Sequence, residues 1–431
     1  MRKNLIILTV CIFWAFSCNL DGDSDSTNFG SSINIVNVSA NQLLAPDGFS
    51  PTAISAAVGA NDFSFRLGRI LLEHNRGGNF VFSPYSVWMP LAALVNATDA
   101  QYKSTLLNAL DASGISQDDL NIAASRMLYD LTDSRNAGTE SYYNPLKILN
   151  AIFVDNKVTL RRDFAQTYMD FYRGASINVD FSSRDAVNAV NRWARANTNG
   201  LISDLIESFD PDTVAAIANA IYFSDRWAWE FNIQETQEDF FYGPLGNTRA
   251  FYMLREGSDQ LYFEDNRVQA ISLGFKHSAG MNIILPKSGS AENLFLSMTN
   301  DYFNEIQQNS ILAEGRLLLP RFSIENDIEG LSDSLKTLGV PLFEGEPITG
   351  LIEEDFSLLI TDAIQRAVIK VDERGTTAAA VTVLPIGPTS APPQPNRPFE
   401  MICNKPFMFI LYDQTYDGGS QVLFTGIVNQ P

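Results

Sequence analysis

From Asp62 onward, apolar positions recur with the periods of regular structure. Phe63, Phe65, Leu67, Ile70, Leu71 and Leu72 fall close to helical spacing and predict a helix ending at His74, broken by Gly77-Gly78. A histidine at that end reads as a helix-terminal cation rather than a catalytic base. Val87–Asn96 predicts an apolar helix and Leu106–Leu110 a short one. Leu146–Asp155 alternates and is rich in β-branched residues, as a strand is. Phe164–Tyr172 and Val187–Ala196 return to helical period, and the apolar run Val214–Phe223 predicts a strand buried on both faces. Tyr262–Phe275, Met281–Leu285 and Arg316–Ile324 are strand-like, Leu331–Leu338 helical with Gly339 as its stop, and Ile364–Val371, Phe399–Tyr412 and Val422–Val428 are strands again. Helices come early and strands late, without regular alternation, which predicts an α+β fold rather than a doubly wound sheet. A length of 431 residues suggests two or three domains. No repeat and no long Gly/Ser/Pro linker divides residues 60–431, however, so a single domain is expected there.

One segment breaks the pattern. Residues 376–383 are small and β-compatible, and five prolines follow Leu384-Pro385 before Phe399. Proline cannot serve a central ladder, so the distal half must be an exposed loop, and a loop this long in a compact domain points to function. Along the proximal half, the alternate residues Thr376, Ala378, Ala380, Thr382, Leu384 and Ile386 are all small or apolar. The other set, Thr377, Ala379, Val381 and Val383, is also uncharged. Such a segment can enter a sheet. Pro385 and Gly387-Pro388 oppose entry only at its far end.

Composition narrows the function classes. With 45% hydrophobic and 19% charged residues, the chain is neither disordered throughout nor a multi-span membrane protein. A net charge of −20 repels phosphate backbones and polyanions, so no nucleic acid partner is expected. The two histidines, His74 and His277, exclude a His-rich metal site. Of three cysteines, Cys11 and Cys18 lie at the N-terminus and only Cys403 in the body, so neither a disulfide framework nor zinc spacing exists there. No cofactor is expected. Neither histidine has a triad context and no Gly-x-Ser-x-Gly elbow occurs, so the chain is not expected to be an enzyme.

At the N-terminus, a basic tip (Arg2-Lys3) precedes the short apolar run Leu5–Phe16 and then Ser17-Cys18. This reads as a secretory signal over residues 1–17, too short for a comfortable transmembrane span. It also looks like a bacterial lipoprotein signal, in which Cys18 would be lipidated; plain secretion with a free N-terminal thiol is the alternative. Residues 18–59 begin with the acidic, polar stretch Asp21–Thr27 and suit a flexible tether and lead-in. The expected location is secreted or cell-surface, not cytoplasmic.

Six segments of the body, in order, resemble the serpin family of serine-protease inhibitors. Asn79–Val87, with Ser83-Pro84-Tyr85-Ser86, is similar to the family's segment beneath its main sheet. Asn191-Arg192-Trp193 through Gly200-Leu201-Ile202 resembles the helix crossing that sheet, and Asn219–Phe223 with Trp227 and Phe231 the central strand and its turn. Leu319-Pro320-Arg321-Phe322 with Leu338-Gly339, then Asp372-Glu373-Arg374-Gly375-Thr376, then Cys403–Phe409 complete the order.

The resemblance implies a single domain of three β-sheets and about nine helices with an exposed reactive-centre loop. It implies a monomer that acts as a suicide substrate. A serine protease cuts the loop, which then inserts into the main sheet and carries the acylated enzyme with it. It assigns a hinge to Glu373, Gly375, Thr376, Ala378, Ala379 and Ala380, and a sheet-opening region to Ser83, Ser86, Asn219 and Gln365. Gln365 stands where the family often has histidine, so no pH response is expected through that site. Seventeen residues from Glu373, the family's usual spacing, put the reactive bond at Thr389–Ser390. A threonine before the cut suits a shallow, apolar, elastase-like pocket. The alternative is a non-inhibitory serpin-like binding or chaperone protein, whose hinge would carry bulky or charged residues.

Overall fold

The computed structural model describes residues 51–132, 145–210, 212–361, 363–376, 398–414 and 419–431, all within the unit spanning residues 35–431. Among them are nine α-helices: α1 (Pro51–His74), α2 (Pro84–Leu94), α3 (Ala100–Ala109), α4 (Gln117–Thr132), α5 (Arg162–Tyr172), α6 (Arg184–Asn197), α7 (Ala291–Leu296), α8 (Asn300–Asn309) and α9 (Leu331–Thr337). The first helix starts well before the expected Phe63 because Ala53, Ala56 and Ala60 extend its buried stripe with residues too small to stand out as a hydrophobic period. Helix α3 starts earlier than Leu106 because the Asp99 side chain accepts the Gln101 amide and caps a polar first turn. Ser183 caps α6 in the same way through the Asp185 amide.

The strands form three sheets. The 19-residue β7 (Gly246–Glu264) belongs to two of them. Gly246–Tyr252 pair with β6 (Gln237–Gly243) and Tyr252–Tyr262 with β10 (Ile311–Pro320), and β14 (Phe399–Ile402) lies parallel on β10. Its last residues pair with β8 (Val268–Gly274), which leads through β9 (Ala279–Pro286), β15 (Phe407–Gln414) and β16 (Ser420–Val428) to β1 (Phe80–Phe82). The third sheet has two halves. One is β3 (Gly174–Val179), β2 (Leu146–Asp155) and β4 (Ala215–Phe223); the other is β11 (Phe322–Asp327) with β12 (Arg366–Val371). Short strands β5 (Asp225–Arg226) and β13 (Gly375–Thr376) pair beside it.

Three expected strands each divide in two. Tyr262–Phe275 breaks at Asp265, whose Oδ1 accepts the amides of Arg267 and Val268 in a tight turn. Arg316–Ile324 breaks at Arg321, between strands of different sheets. Phe399–Tyr412 breaks before Pro406, which has no N–H for a ladder. The large core packs α1, α2, α4 and α5 against the sheets; a smaller core under α6 joins Ala186, Ala189 and Val190 to Phe153 and Ala218.

Candidate functional site

Among the described residues, no ladder joins β4 to β12. The two strands instead flank a cavity of about 760 Å³, lined by both strands, by Val190 and Trp193 of α6 and by Ser86, Val87 and Leu91 of α2. This corrects the expectation that Val214–Phe223 is buried on both faces. Ala218, Ala220, Ile221 and Phe223 are buried, while Ala215, Ala216, Ile217 and Asn219 are half-buried because they front the opening. β4 pairs along its other edge with β2, from Ala215 opposite Val154 to Phe223 opposite Leu146. The slot thus presents strand edges on both sides, and an unpaired edge is a template for another strand.

Ser83, Ser86, Asn219 and Gln365 all line this cavity. Three of them are bonded together. The Gln365 side chain accepts the Ser83 amide at 3.0 Å and donates to the Ser83 carbonyl at 2.7 Å. Ser83 Oγ donates to the Leu423 carbonyl and accepts from Ser86 Oγ at 3.0 Å. Because that hydroxyl serves β16, it does not cap α2, and Pro84 starts the helix instead. Asn219 stands on the opposite wall. Its Nδ2 donates to Asn150 Oδ1 at 2.7 Å, and its own Oδ1 is buried without a partner among the described residues.

The loop root lies beside the slot, directly after β12. Asp372 and Gly375 bridge across the two-residue turn Glu373-Arg374, and Gly375-Thr376 then pairs with Arg226-Asp225. Gly375 has φ +128°, and a Cβ there would collide with the Asp225 carbonyl, so only glycine fits. Trp227, buried, stacks on Phe275 at 4.3 Å and holds the turn twice: its amide donates to the Arg374 carbonyl and its indole N–H to the Asp372 carbonyl at 2.8 Å. The Glu373 carboxylate, 5% exposed, accepts Arg321 Nε at 2.8 and 2.9 Å and Thr236 Oγ1 at 2.6 Å. Burial alone would raise its pKa; the Arg321 and Thr236 hydrogen bonds outweigh that and hold it below the usual carboxylate range.

Sequence reasoning gave no role to Arg321, Thr236, Asp225 or His277. Arg321 was visible as a lone cation after the apolar run Leu317–Pro320; the others carry no local signal. Cys403 is a buried free thiol, and burial pushes its pKa up, away from reactivity. Ala378, Ala379, Ala380, the Thr389–Ser390 bond and Cys18 lie outside the described residues.

The comparisons with known proteins agree with this arrangement. A family model described as serpin (serine protease inhibitor) matches residues 58–431. An uncharacterized serpin-like protein of Thermococcus kodakarensis is 27% identical over 443 residues, covering 100% of this chain and 99% of that protein. An alpha-1-antiproteinase of Callosciurus caniceps is 27% identical over 387 residues, covering 88% and 90%. Among solved structures, the thermophilic serpin tengpin in its native state matches with a TM-score of 0.77 at 24% identity, covering 92% of this chain and 98% of that one. A complex of thyroxine-binding globulin with thyroxine matches at 0.72 and 22% identity, covering 87% and 99%. Nine helices and three sheets among the described residues, a cavity between β4 and β12 and a family match over residues 58–431 lead to one assignment: this chain belongs to the serpin family, whose members are generally protease inhibitors rather than catalysts.

Proposed function

We propose that this chain is a suicide-substrate inhibitor of serine proteases of the elastase-like kind. The observation that carries the reading is the slot between β4 and β12, with the loop root folded at its mouth. The bridge between Asp372 and Gly375 sets a register for entry. Continued along β12, it brings Thr376 opposite Val371, Ala378 opposite Ile369, Ala380 opposite Ala367 and Thr382 opposite Gln365. Directly opposed residues share a face of a sheet. Val371, Ile369, Ala367 and Gln365 are all buried, so their partners turn inward, and they are the small, uncharged set of the loop. Thr382 arrives beside Gln365 and offers a hydroxyl to the orphaned Asn219 Oδ1. Thr377, Ala379 and Val381 turn outward, opposite Lys370, Val368 and Arg366.

With the cut at Thr389–Ser390, the inserted segment runs from Thr376 to Thr389 and spans about 46 Å at roughly 3.3 Å per residue. That length carries an acylated protease from one end of the sheet to the other. The uncharged run from Thr376 to Leu384 favours inhibition over the non-inhibitory behaviour of some family members. A monomer that needs no cofactor, exported and tethered through lipidated Cys18, completes the reading. Incubation with elastase, chymotrypsin and trypsin tests it. An SDS-stable complex with elastase and a released fragment beginning at Ser390 are expected. Cleavage without a stable complex would reduce the chain to a substrate, and a fragment beginning at Pro385, Gly387 or Pro398 would move the specificity with it.

A further inference from the structure

His277 lies in the turn between β8 and β9, far in sequence from the loop, yet it grips the strand that holds the loop root. Its backbone amide donates to Asp225 Oδ2 at 3.0 Å, and its Nδ1 lies 3.1 and 3.0 Å from Asp225 Oδ1 and Oδ2. A carboxylate only accepts, so Nδ1 carries the hydrogen and donates. Asp225 is 1% exposed, while the imidazole is a quarter exposed. The same turn reaches β5 again through the Lys276 amide, which donates to the Arg226 carbonyl at 2.8 Å. One step further, the Ala228 amide donates to the Gly274 carbonyl, and Trp227 bridges to Phe275. On its other side, β5 pairs through Asp225 with Thr376 and through Arg226 with Gly375.

We infer that His277 is a positioning residue for the loop root: its bond to the buried Asp225 carboxylate fixes β5 in the place from which β5 pairs with Gly375-Thr376, and so sets how readily the root leaves for the slot. The inference deepens the inhibitor reading and rests on it for its consequence, though not for its geometry. Asp225 is a buried acid that needs donors, but Arg226 and His277 already supply two through their backbone amides. The imidazole adds a side-chain donor, and it does so from a separate element.

Hydrogen exchange on the full, uncleaved chain decides the clamp without any protease. His277→Ala removes a hydrogen bond to a charged group, which raises root opening by roughly tenfold or more. Amides of residues 372–376 should therefore exchange about tenfold faster while β15 and β16 keep their wild-type rates. His277→Asn, which restores a side-chain donor, should return the root to within about threefold of wild type. Should the alanine variant not fold, Asp225→Asn keeps volume and an acceptor and should accelerate the same amides. Root exchange unchanged in His277→Ala, equal acceleration in the alanine and asparagine variants, or acceleration spread evenly over the whole chain would each overturn the clamp. Failure of the wild type to trap any protease overturns the inhibitor reading instead, and leaves the exchange result standing.

Discussion

The register along β12 makes adjacent loop residues opposite in consequence. Consider arginine placed at Ala378 and, separately, at Thr377. In the inserted state, residue 378 faces inward beside Ile369, and residue 377 faces outward beside the exposed Lys370. Insertion of Thr376–Val381 opposite Val371–Arg366 completes about six ladder bonds to β12 and a similar number to β4. At about 1 kcal/mol net each, the gain is on the order of 10 kcal/mol. An unpaired guanidinium on the inner face costs about 4 kcal/mol, a sizeable part of that gain, and it must be seated early because residue 378 is near the root. If that cost appears in the insertion barrier, entry slows by roughly a thousandfold, and deacylation wins. The outward arginine meets only Lys370 in solvent, a like-charge penalty of about 1 kcal/mol or less. Titration of elastase with each variant, read as stoichiometry of inhibition and as SDS-stable complex, separates the two. Ala378→Arg should behave as a substrate and Thr377→Arg as an inhibitor close to wild type. Equal stoichiometry for the two, or the greater loss at Thr377, would refute the register.

Cleavage in the loop should raise the melting temperature, since the freed strand fills the slot; equal melting of intact and cleaved forms by calorimetry would contradict insertion. Arg321→Met should destabilise the intact form by about 2 kcal/mol at pH 7, because it leaves Glu373 buried without its cation, with a discount for the partly exposed guanidinium. The pKa of Glu373 is depressed on folding, so its stabilising contribution is present above the unfolded value and lost as pH falls through the folded one. The gap between wild type and Arg321→Met in chemical denaturation should therefore close in acid, below the ordinary carboxylate range. Thr389→Arg should exchange elastase for trypsin as the trapped enzyme in a protease panel, since an Asp-floored pocket pairs with arginine. Cys18→Ser should release the protein from the membrane fraction into the medium, as judged by fractionation of expressing cells.

Much of this fold was legible because its elements have strong local periods. Leu146–Asp155 matches its strand end to end, and Gly339, with φ +91°, follows the helix it was expected to stop. What escaped was structure whose pattern is weak or shared. Strand β6 runs three polar residues into three aromatics, the first part of β7 is mostly polar, and both are largely exposed, so neither carries a period-2 hydrophobic signal. Strands β10 and β11 read as one run because a bend between sheets leaves the apolar pattern unbroken except at Arg321. The candidate site divides in the same way. Gln365, Ser83 and Ser86 were found through a family pattern and do meet, through bonds from the glutamine to the Ser83 backbone that no pattern of side chains could reveal. The contacts of Asp225 with His277 and of Glu373 with Thr236 join residues 52 and 137 positions apart, and no periodicity encodes them.

Small side chains connect the slot to what is proposed to fill it. Ala215, Ala216, Ala218 and Ala220 run along β4, and Thr376–Ala380 begin the loop. A strand entering between β4 and β12 must pass side chains on both neighbours, and alanine against alanine offers the least collision on the way. The same choice limits what the side chains contribute once seated, since a buried methyl adds far less than a buried leucine or isoleucine. The driving force for closure then falls on the backbone ladder, whose donors and acceptors along β4 and β12 have, among the described residues, no strand partner across the opening. Larger apolar residues in the loop would stabilise the filled sheet more but hinder entry in the short time before deacylation. An all-small hinge therefore favours speed of insertion over the final depth of the well, which is the balance a trap for a turning-over enzyme requires.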